Sequence, residues 1–172
     1  MDPQRSDHVI TNTDVYATDF YAWCLTTAAL VREGQWDAID PEALAEELES
    51  LGKSQKRELE SRLEVLVMHL LKWEYQPQLR QEGHSWYDTI LEQRNQIARL
   101  LRDNPSLRPQ VPHLVEDVYP DARQRAMGEM APWTQIRDRG HFDPHDVHIA
   151  AVPLTCPWTD VQILDKDFWP IP

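Results

Sequence analysis

The stretch DPEALAEELESLGKSQKRELESRLEVLVMHLLKWEY, residues 40–75, decides the fold class of this chain. Asp40 can cap the first amide groups of a helix, and Pro41 suits the first helical position. One stripe then recurs about every 3.6 residues, the repeat of a straight α-helix, at positions 44, 48, 51, 55, 59, 63, 66, 70 and 73. The pattern favours one continuous helix over about 41–75, although Gly52 could interrupt it, with Ser54 restarting the helix.

A helix of this length raises the question of what covers its first turns. At 1.5 Å per residue it would be about 50 Å long, whereas a compact domain of this size has a radius of gyration of about 16 Å. The helix would extend beyond a spherical domain, and the end that carries Leu44, Leu48 and Leu51 would need an apolar partner. That partner would be either the chain's own termini or a second subunit.

Further helices are predicted on both sides of the long one. An N-terminal helix covers about 18–33 and ends at Gly34, which is typical of a helix C-terminus. A third helix covers about 86–102 and ends before Asn104-Pro105. A fourth, over about 113–130, contains Pro120 and is expected to kink there. The rest is irregular and rich in proline, with a short helical turn near 160–164.

The second and third helices are joined by a short polar loop, which predicts an antiparallel hairpin. Pairing about the centre of that loop would place Lys72 near Thr89 and His69 near Glu92. The predicted architecture is therefore all-α, a long hairpin packed with the other helices. A length of 172 residues fits one domain, expected over 14–172 with a flexible tail at 1–13 and a loop-rich segment at 131–157.

Composition and charge exclude several classes of partner and location. The chain carries 17 Lys and Arg against 29 Asp and Glu, a net charge of −12, and nucleic-acid affinity rests largely on basic side chains that neutralise phosphates. We therefore expect neither nucleic-acid nor membrane binding. No stretch has the length and apolarity of a transmembrane span, and the polar N-terminus lacks the apolar core of a signal peptide. A cytoplasmic protein is expected.

Signatures of the common enzyme classes are absent from the sequence. There is no phosphate-binding glycine loop, no HExxH, no GxSxG and no dinucleotide fingerprint, and five glycines could hardly build such loops. Two cysteines, Cys24 and Cys156, form neither a disulfide framework nor a metal knuckle. The chain is therefore expected to work without a cofactor, and catalytic activity is not favoured.

The hairpin provides the first candidate site. Its members are polar or aromatic residues that the predicted pairing brings towards one another: His69, Lys72, Trp73, Trp86, Glu92 and Arg94. A histidine beside a carboxylate can perform acid–base chemistry, and a cation beside tryptophan can bind an anionic or planar ligand. The alternative is structural, because a buried His69 hydrogen-bonded to Glu92 would fix the hairpin register without any chemistry.

The second candidate site is the segment HFDPHDVH at residues 141–148. Imidazoles and carboxylates at this density could hold a divalent metal ion, with His141, His145 and His148 as the candidate ligands. The spacing matches no established metal signature, and Asp-Pro-His-Asp is also ordinary turn composition. Metal binding and a plain turn therefore both remain open.

Several strings of this chain also resemble a known family. They are YATDFYAW, LAEELESLGKSQKRELESRLEVLVMHLLKWEYQP, SWYDTILEQRNQI, YPDAR and CPWTDVQILDKDFWP, which occur in order over most of residues 16–170. In these strings the chain resembles the bacterial family called domain of unknown function 29. The resemblance implies a small, soluble, mainly helical bacterial protein, and it implies no activity that could be assigned to particular residues.

Three hypotheses about function follow. The first is a protein-interaction or self-associating module without catalytic activity, with a homodimer or another protein as its partner, because a long amphipathic helix needs a partner surface. The second is a small-ligand-binding or enzymatic helical domain that uses the hairpin residues His69, Lys72, Glu92 and Arg94. The third is divalent-metal binding through the segment 141–148.

Overall fold

The computed structural model describes residues 12–77, 80, 84–137 and 152–171. This part of the chain contains helices and no strand, which confirms the all-α prediction. The helices in chain order are α1 (Asn12–Thr18), α2 (Phe20–Glu33), α3 (Pro41–Tyr75), α4 (His84–Asp103), α5 (Val111–Arg137) and α6 (Asp160–Leu164). Short 3₁₀ segments cover Trp36–Ala38 and Pro105–Gln110.

The long helix α3 is continuous through Gly52, as the unbroken apolar phase predicts. Asp40 begins it as expected, since its Oδ1 accepts hydrogen bonds from the amides of Glu42 at 3.1 Å and Ala43 at 3.2 Å. An interior glycine costs a helix about 1 kcal/mol relative to alanine. That cost is small beside the packing of a helix of 35 residues, so Gly52 does not interrupt it.

Two compact units divide the chain, and their boundary lies within α3. We call them the N-terminal unit, Met1–Lys53, and the C-terminal unit, Ser54–Pro172. The expectation of one domain over 14–172 stays a prediction.

The N-terminal unit begins its helical structure earlier than the sequence suggested. Where one helix over about 18–33 was predicted, the structure has α1 and α2, separated at Asp19. The Asp19 carboxylate accepts a hydrogen bond from the amide of Ala22 at 2.9 Å and so begins α2. Gly34, with a φ of 70°, ends α2 as predicted, because a glycine adopts this left-handed conformation without strain.

The core of the N-terminal unit is small. The Trp23 ring is buried against Tyr16, with 4.8 Å between ring centroids, and Phe20 stacks on Trp23 at 5.7 Å. The Tyr16 hydroxyl donates a hydrogen bond of 2.6 Å to Oε1 of Glu47, which joins α1 to α3 and raises the pKa of Tyr16 to about 12. The other described buried residues of the unit are Thr27, Ile39 and Ala43.

The C-terminal unit is built around the second half of α3. Within this half, residues 66–68 and 70–72 are all buried, whereas Val65, His69 and Trp73 on the remaining side are only partly buried. Helix α4 packs against it antiparallel: Gln55 accepts from Asn104 at 3.4 Å, and Lys72 lies 4.8 Å from the Trp86 ring centroid.

Helix α5 and the C-terminal segment complete the unit. Helix α5 runs without interruption through Pro120 to Arg137, so it includes residues 131–137 of the predicted loop-rich segment. Its Tyr119 hydroxyl donates to the carbonyl of Pro153 at 2.8 Å, and its Arg123 guanidinium donates to the carbonyl of Val152. These bonds attach the segment 152–171 to the helices.

Candidate functional site

Lys72 occupies the centre of the predicted hairpin cluster, on the buried side of α3. Its Nζ donates a 2.6 Å hydrogen bond to Oε2 of Glu129 on α5 and lies 4.8 Å from the ring centroid of Trp86 on α4. The hydrogen bond lowers the pKa of the Glu129 carboxyl. The structure therefore brings Lys72 and Trp86 together, and it places the cation one turn earlier in α4 than the predicted Thr89.

His69 lies beside this cluster with its ring orientation fixed by the backbone. Its Nδ1 lies 2.8 Å from the carbonyl oxygen of Val65. A carbonyl only accepts, so Nδ1 carries the proton and Nε2 is the free lone pair of the neutral ring. Burial lowers the pKa of His69. Its charged neighbours are Lys72, Glu129 and Arg125.

Glu92, the carboxylate predicted to pair with His69, lies elsewhere. It is exposed, and its Oε1 accepts a 2.6 Å hydrogen bond from Gln96 on the same helix. Within the described residues no hydrogen bond or ion pair joins it to His69. The carboxylate that acts electrostatically on His69 is Glu129, which sequence reasoning missed because it lies on α5 and not on the hairpin.

Gln76 extends the cluster by one more polar group. It is the first residue after α3, and its backbone amide donates to the Lys72 carbonyl at 3.0 Å, so it continues the stripe of His69 and Lys72 at helical spacing. We call these three residues the polar strip. Gln76 is 1% exposed, and neither atom of its amide has a hydrogen-bond partner in the described part of the chain. Its spacing from Lys72 was a sequence signal, but nothing in the sequence indicated that its amide would be unpaired.

Arg94 and Trp73 belong to a different contact, with the C-terminal segment. Arg94 is buried, and its guanidinium donates to the carbonyls of Ile163 at 2.9 Å and Phe168 at 2.8 Å. Its Cζ lies 5.3 Å from the Trp169 ring centroid, and the Trp73 ring lies 4.8 Å from the same centroid. Burial lowers the pKa of this guanidinium. Arg94 therefore holds the C-terminal segment through Nε and Nη2, while its buried Nη1 has no hydrogen-bond partner among the described residues.

The six predicted hairpin residues thus separate into three groups. His69, Lys72 and Trp86 lie together with Glu129, Trp73 and Arg94 face the C-terminal segment, and Glu92 is exposed. The candidate metal ligands His141, His145 and His148 lie outside the described residues. Among the described ones, no group of three or more His, Cys, Asp and Glu could hold a metal ion.

A cleft of about 440 Å³ lies between α5 and residues 155–160. Its lining includes Cys156, Trp158 and Glu116. The Cys156 thiol donates to the Trp158 carbonyl at 3.4 Å, and burial raises its pKa. Burial therefore disfavours the thiolate form that a nucleophilic cysteine needs.

A different kind of feature occurs in the N-terminal unit, where large apolar side chains are exposed. We call this set the apolar surface, and its members are Phe20, Tyr21, Leu25, Trp36, Leu48 and Leu51. Tyr21 and Leu25 are one turn apart on α2, and Leu48 and Leu51 are one turn apart on α3. Each helix therefore exposes an apolar pair at helical spacing, although Leu44 is partly buried.

The two helices of the apolar surface are linked through Tyr16 of α1. Phe20 lies 6.2 Å from the Tyr16 ring, and the Tyr16 hydroxyl binds Glu47. Leu51 follows Glu47 by one turn of α3. The exposed side chains of α2 and α3 therefore belong to neighbouring parts of the same unit.

The N-terminal unit is also the more acidic of the two. Met1–Lys53 contains 11 Asp and Glu against three Lys and Arg, so it carries −8 of the chain's net charge of −12. Of the basic residues, Lys53 is paired with Glu49 at 2.9 Å. Apolar side chains and uncompensated negative charge therefore occur in the same unit.

Comparison with known proteins identifies a family and no activity. The model of the family described as Domain of unknown function DUF29 matches residues 15–169. The comparisons with curated proteins and with solved structures gave no match. None of the helices in the described residues combines the length and apolar character that crossing a membrane requires.

Proposed function

The chain belongs to the family described as Domain of unknown function DUF29, and on that premise we propose that it is a protein-interaction module. Its contact surface is the apolar surface of the N-terminal unit, and the function involves no catalytic step. The C-terminal unit, which has the larger core, provides most of the stability of the fold.

The observation that carries the proposal is the exposure of six large apolar side chains in one small unit. Leu48 is 60% exposed and Leu51 is 65% exposed. Large apolar patches on a protein mark contact sites more often than chance, and tyrosine and tryptophan are enriched among the residues that contribute most to binding. Tyr21 and Trp36 provide both types here.

Site-specific photo-crosslinking tests the proposal whatever the identity of the partner. A photoreactive amino acid replaces Leu48 in one variant and Val161 in another, and both variants are irradiated in the cells that produce the protein. Val161 is the matched control, because it is an apolar residue 72% exposed in the C-terminal unit. We expect a discrete adduct from position 48 and none from position 161.

The mass of the adduct separates the two forms of the proposal. An adduct of twice the 20.1 kDa chain mass indicates self-association, and any other discrete mass indicates a different protein. The absence of a discrete adduct at position 48, or equal adducts at both positions, would contradict the proposed contact surface.

The polar strip supports a second candidate function, the binding of a small ligand. The observation that favours it is the buried Gln76 amide, which has no partner in the described residues. A ligand with one hydrogen-bond donor and one acceptor, such as an amide or a carboxylic acid, would satisfy both amide atoms. Native mass spectrometry of freshly purified protein tests this: an adduct should be present in the wild type and lost in Gln76→Met. A wild type without an adduct counts against it.

A further inference from the structure

Charge determines which partner fits the apolar surface. We propose that its occupant is a cationic amphipathic helix of another protein, and not a second copy of this chain. This inference rests on the proposed function and specifies its partner. It follows from the coincidence of exposed apolar side chains and a net charge of −8 in Met1–Lys53.

The acidic residues lie directly beside the apolar anchors of α3. Residues 40–52 contain five Asp and Glu and no Lys or Arg. Glu46 is exposed next to Glu47, and Glu49 lies between Leu48 and Leu51. The nearest basic residue, Lys53, already pairs with Glu49. A partner that covers Leu48 and Leu51 must therefore come close to negative charge.

A second copy would bring like charges together. Closed dimers use the same patch on both subunits, so the carboxylates around Leu48 would enter the interface from both sides. At physiological ionic strength the screening length is about 8 Å, which is longer than the separation of groups across an interface. The apolar contacts would be available to either partner, so the electrostatic interaction decides in favour of a cationic one.

The apolar pairs also indicate the form of the partner. Tyr21 with Leu25, and Leu48 with Leu51, expose anchors one helical turn apart. An amphipathic helix presents apolar residues with this same repeat, which allows its apolar face to pack against such anchors. Lys and Arg at its edges would pair with the carboxylates, and the Tyr21 and Trp36 rings can accept cations on their faces.

Two synthetic peptides test the inference directly. Both are fluorescent amphipathic helices of 18 residues with the same leucine face, one with lysine on the polar face and the other with glutamate. Fluorescence anisotropy measures their binding to the full-length protein. We expect the lysine peptide to bind saturably, one per chain, at least tenfold more tightly than the glutamate peptide, and to weaken from 50 to 300 mM NaCl.

Matched variants show where the peptide binds. The double variant Leu48→Ser with Leu51→Ser should weaken the lysine peptide at least tenfold, whereas Val161→Ser should leave its affinity unchanged. Circular dichroism of each variant checks that the helical content is retained. Glu46→Gln, which removes one exposed carboxylate and little else, should weaken binding two- to threefold and reduce the salt dependence.

Each contrary outcome has a defined meaning. Equal binding of both peptides overturns the inference about charge and leaves the interaction module intact. Undiminished binding to the Leu48/Leu51 double variant shows general attraction to an acidic protein, and it overturns the inference too. If neither peptide binds, the inference is wrong: a crosslinked adduct of twice the chain mass would then identify a second copy as the partner and preserve the proposed function, whereas no adduct would contradict both.

Discussion

Leu63 and Leu48 belong to the same apolar stripe of the same helix, yet Leu63 is fully buried and Leu48 is 60% exposed. In the C-terminal unit, α4, α5 and the terminal segment surround α3, so its stripe becomes the core. In the N-terminal unit the core consists of a few residues around Trp23. The same leucine pattern therefore has two different roles in α3. Where many neighbouring elements pack against the stripe it forms the core, and where few do it remains exposed and available for binding.

The largest effect is expected from Arg94→Ala, which tests how the C-terminal segment is attached to α4. The variant loses two hydrogen bonds from a charged donor, to the carbonyls of Ile163 and Phe168, together with the Trp169 contact. Hydrogen bonds to charged groups contribute about 1.5–3 kcal/mol each, so the free energy of unfolding should fall by about 4 kcal/mol. Urea denaturation followed by circular dichroism measures this loss.

Arg102→Ala is the control for Arg94, because it changes an exposed arginine on the same helix. Its free energy of unfolding should stay within about 0.5 kcal/mol of the wild type. Similar small losses in both variants would show that the C-terminal segment does not depend on the buried guanidinium.

A leucine pair on α3 gives the most direct test of the comparison. Leu63→Ala should lower the free energy of unfolding by about 3 kcal/mol, since it removes buried methyl groups and leaves a cavity. Leu48→Ala should change it by less than about 0.5 kcal/mol, because its side chain is already in contact with solvent. Leu48→Ala should also weaken binding to the crosslinked partner or to the peptide. Leu63→Ala should leave that binding unchanged, when it is measured at a temperature at which the Leu63→Ala variant is folded.

Two results would contradict this division of α3. If Leu48→Ala destabilised the protein as much as Leu63→Ala, the N-terminal stripe would contribute to folding and not to binding. If it affected neither folding nor the complex, the exposed leucines would have no role in the contact. Urea denaturation and fluorescence anisotropy on the same samples distinguish these cases.

The helices themselves could be predicted because their signals are local. The phase of the leucines, the Asp40 cap and Gly34 each act over a few residues, and the structure confirms all three. Helix α1 was missed because its sequence NTDVYAT has no helical apolar stripe of its own. Its contacts are tertiary, with the Tyr16 ring against Trp23 and the Tyr16 hydroxyl bonded to Glu47.

The contacts of the candidate site were harder to predict because their partners are distant in sequence. Arg94 binds carbonyls about 70 residues away, and every residue has a carbonyl, so no side-chain pattern marks those acceptors. The Lys72–Glu129 pair spans 57 residues and depends on how α5 packs against α3. Hairpin geometry could place Lys72 near α4 but contained no information about α5.

A smaller effect, of opposite sign, is expected from Gln76→Met in the polar strip. A buried amide without partners destabilises the fold, so an apolar side chain of similar volume should raise the free energy of unfolding by about 1 kcal/mol. Gln55→Met, on α3, is the control, because the Gln55 amide oxygen accepts a hydrogen bond from Asn104. That variant should not gain stability. A loss in Gln76→Met would indicate that a bound molecule or water pairs with the amide.

The smallest effect is the pH dependence of stability that arises from His69. It concerns a buried ionisable group of the C-terminal unit, in contrast to the solvated acids of the N-terminal unit. Burial lowers the pKa of His69 below its ordinary value of 6.5, so the unfolded chain binds a proton that the folded chain does not. Its contribution to stability is therefore present above pH 6.5 and is lost as the pH falls through the folded-state pKa. Urea denaturation measures the free energy of unfolding at pH 7.5 and at pH 5.5. We expect this free energy to fall less in His69→Gln than in the wild type, with a difference of less than about 1 kcal/mol. If the free energy of unfolding fell equally in both proteins, the imidazole would be protonated within the folded state. Glu129 would then be close enough to compensate the positive charge and offset the loss of solvation.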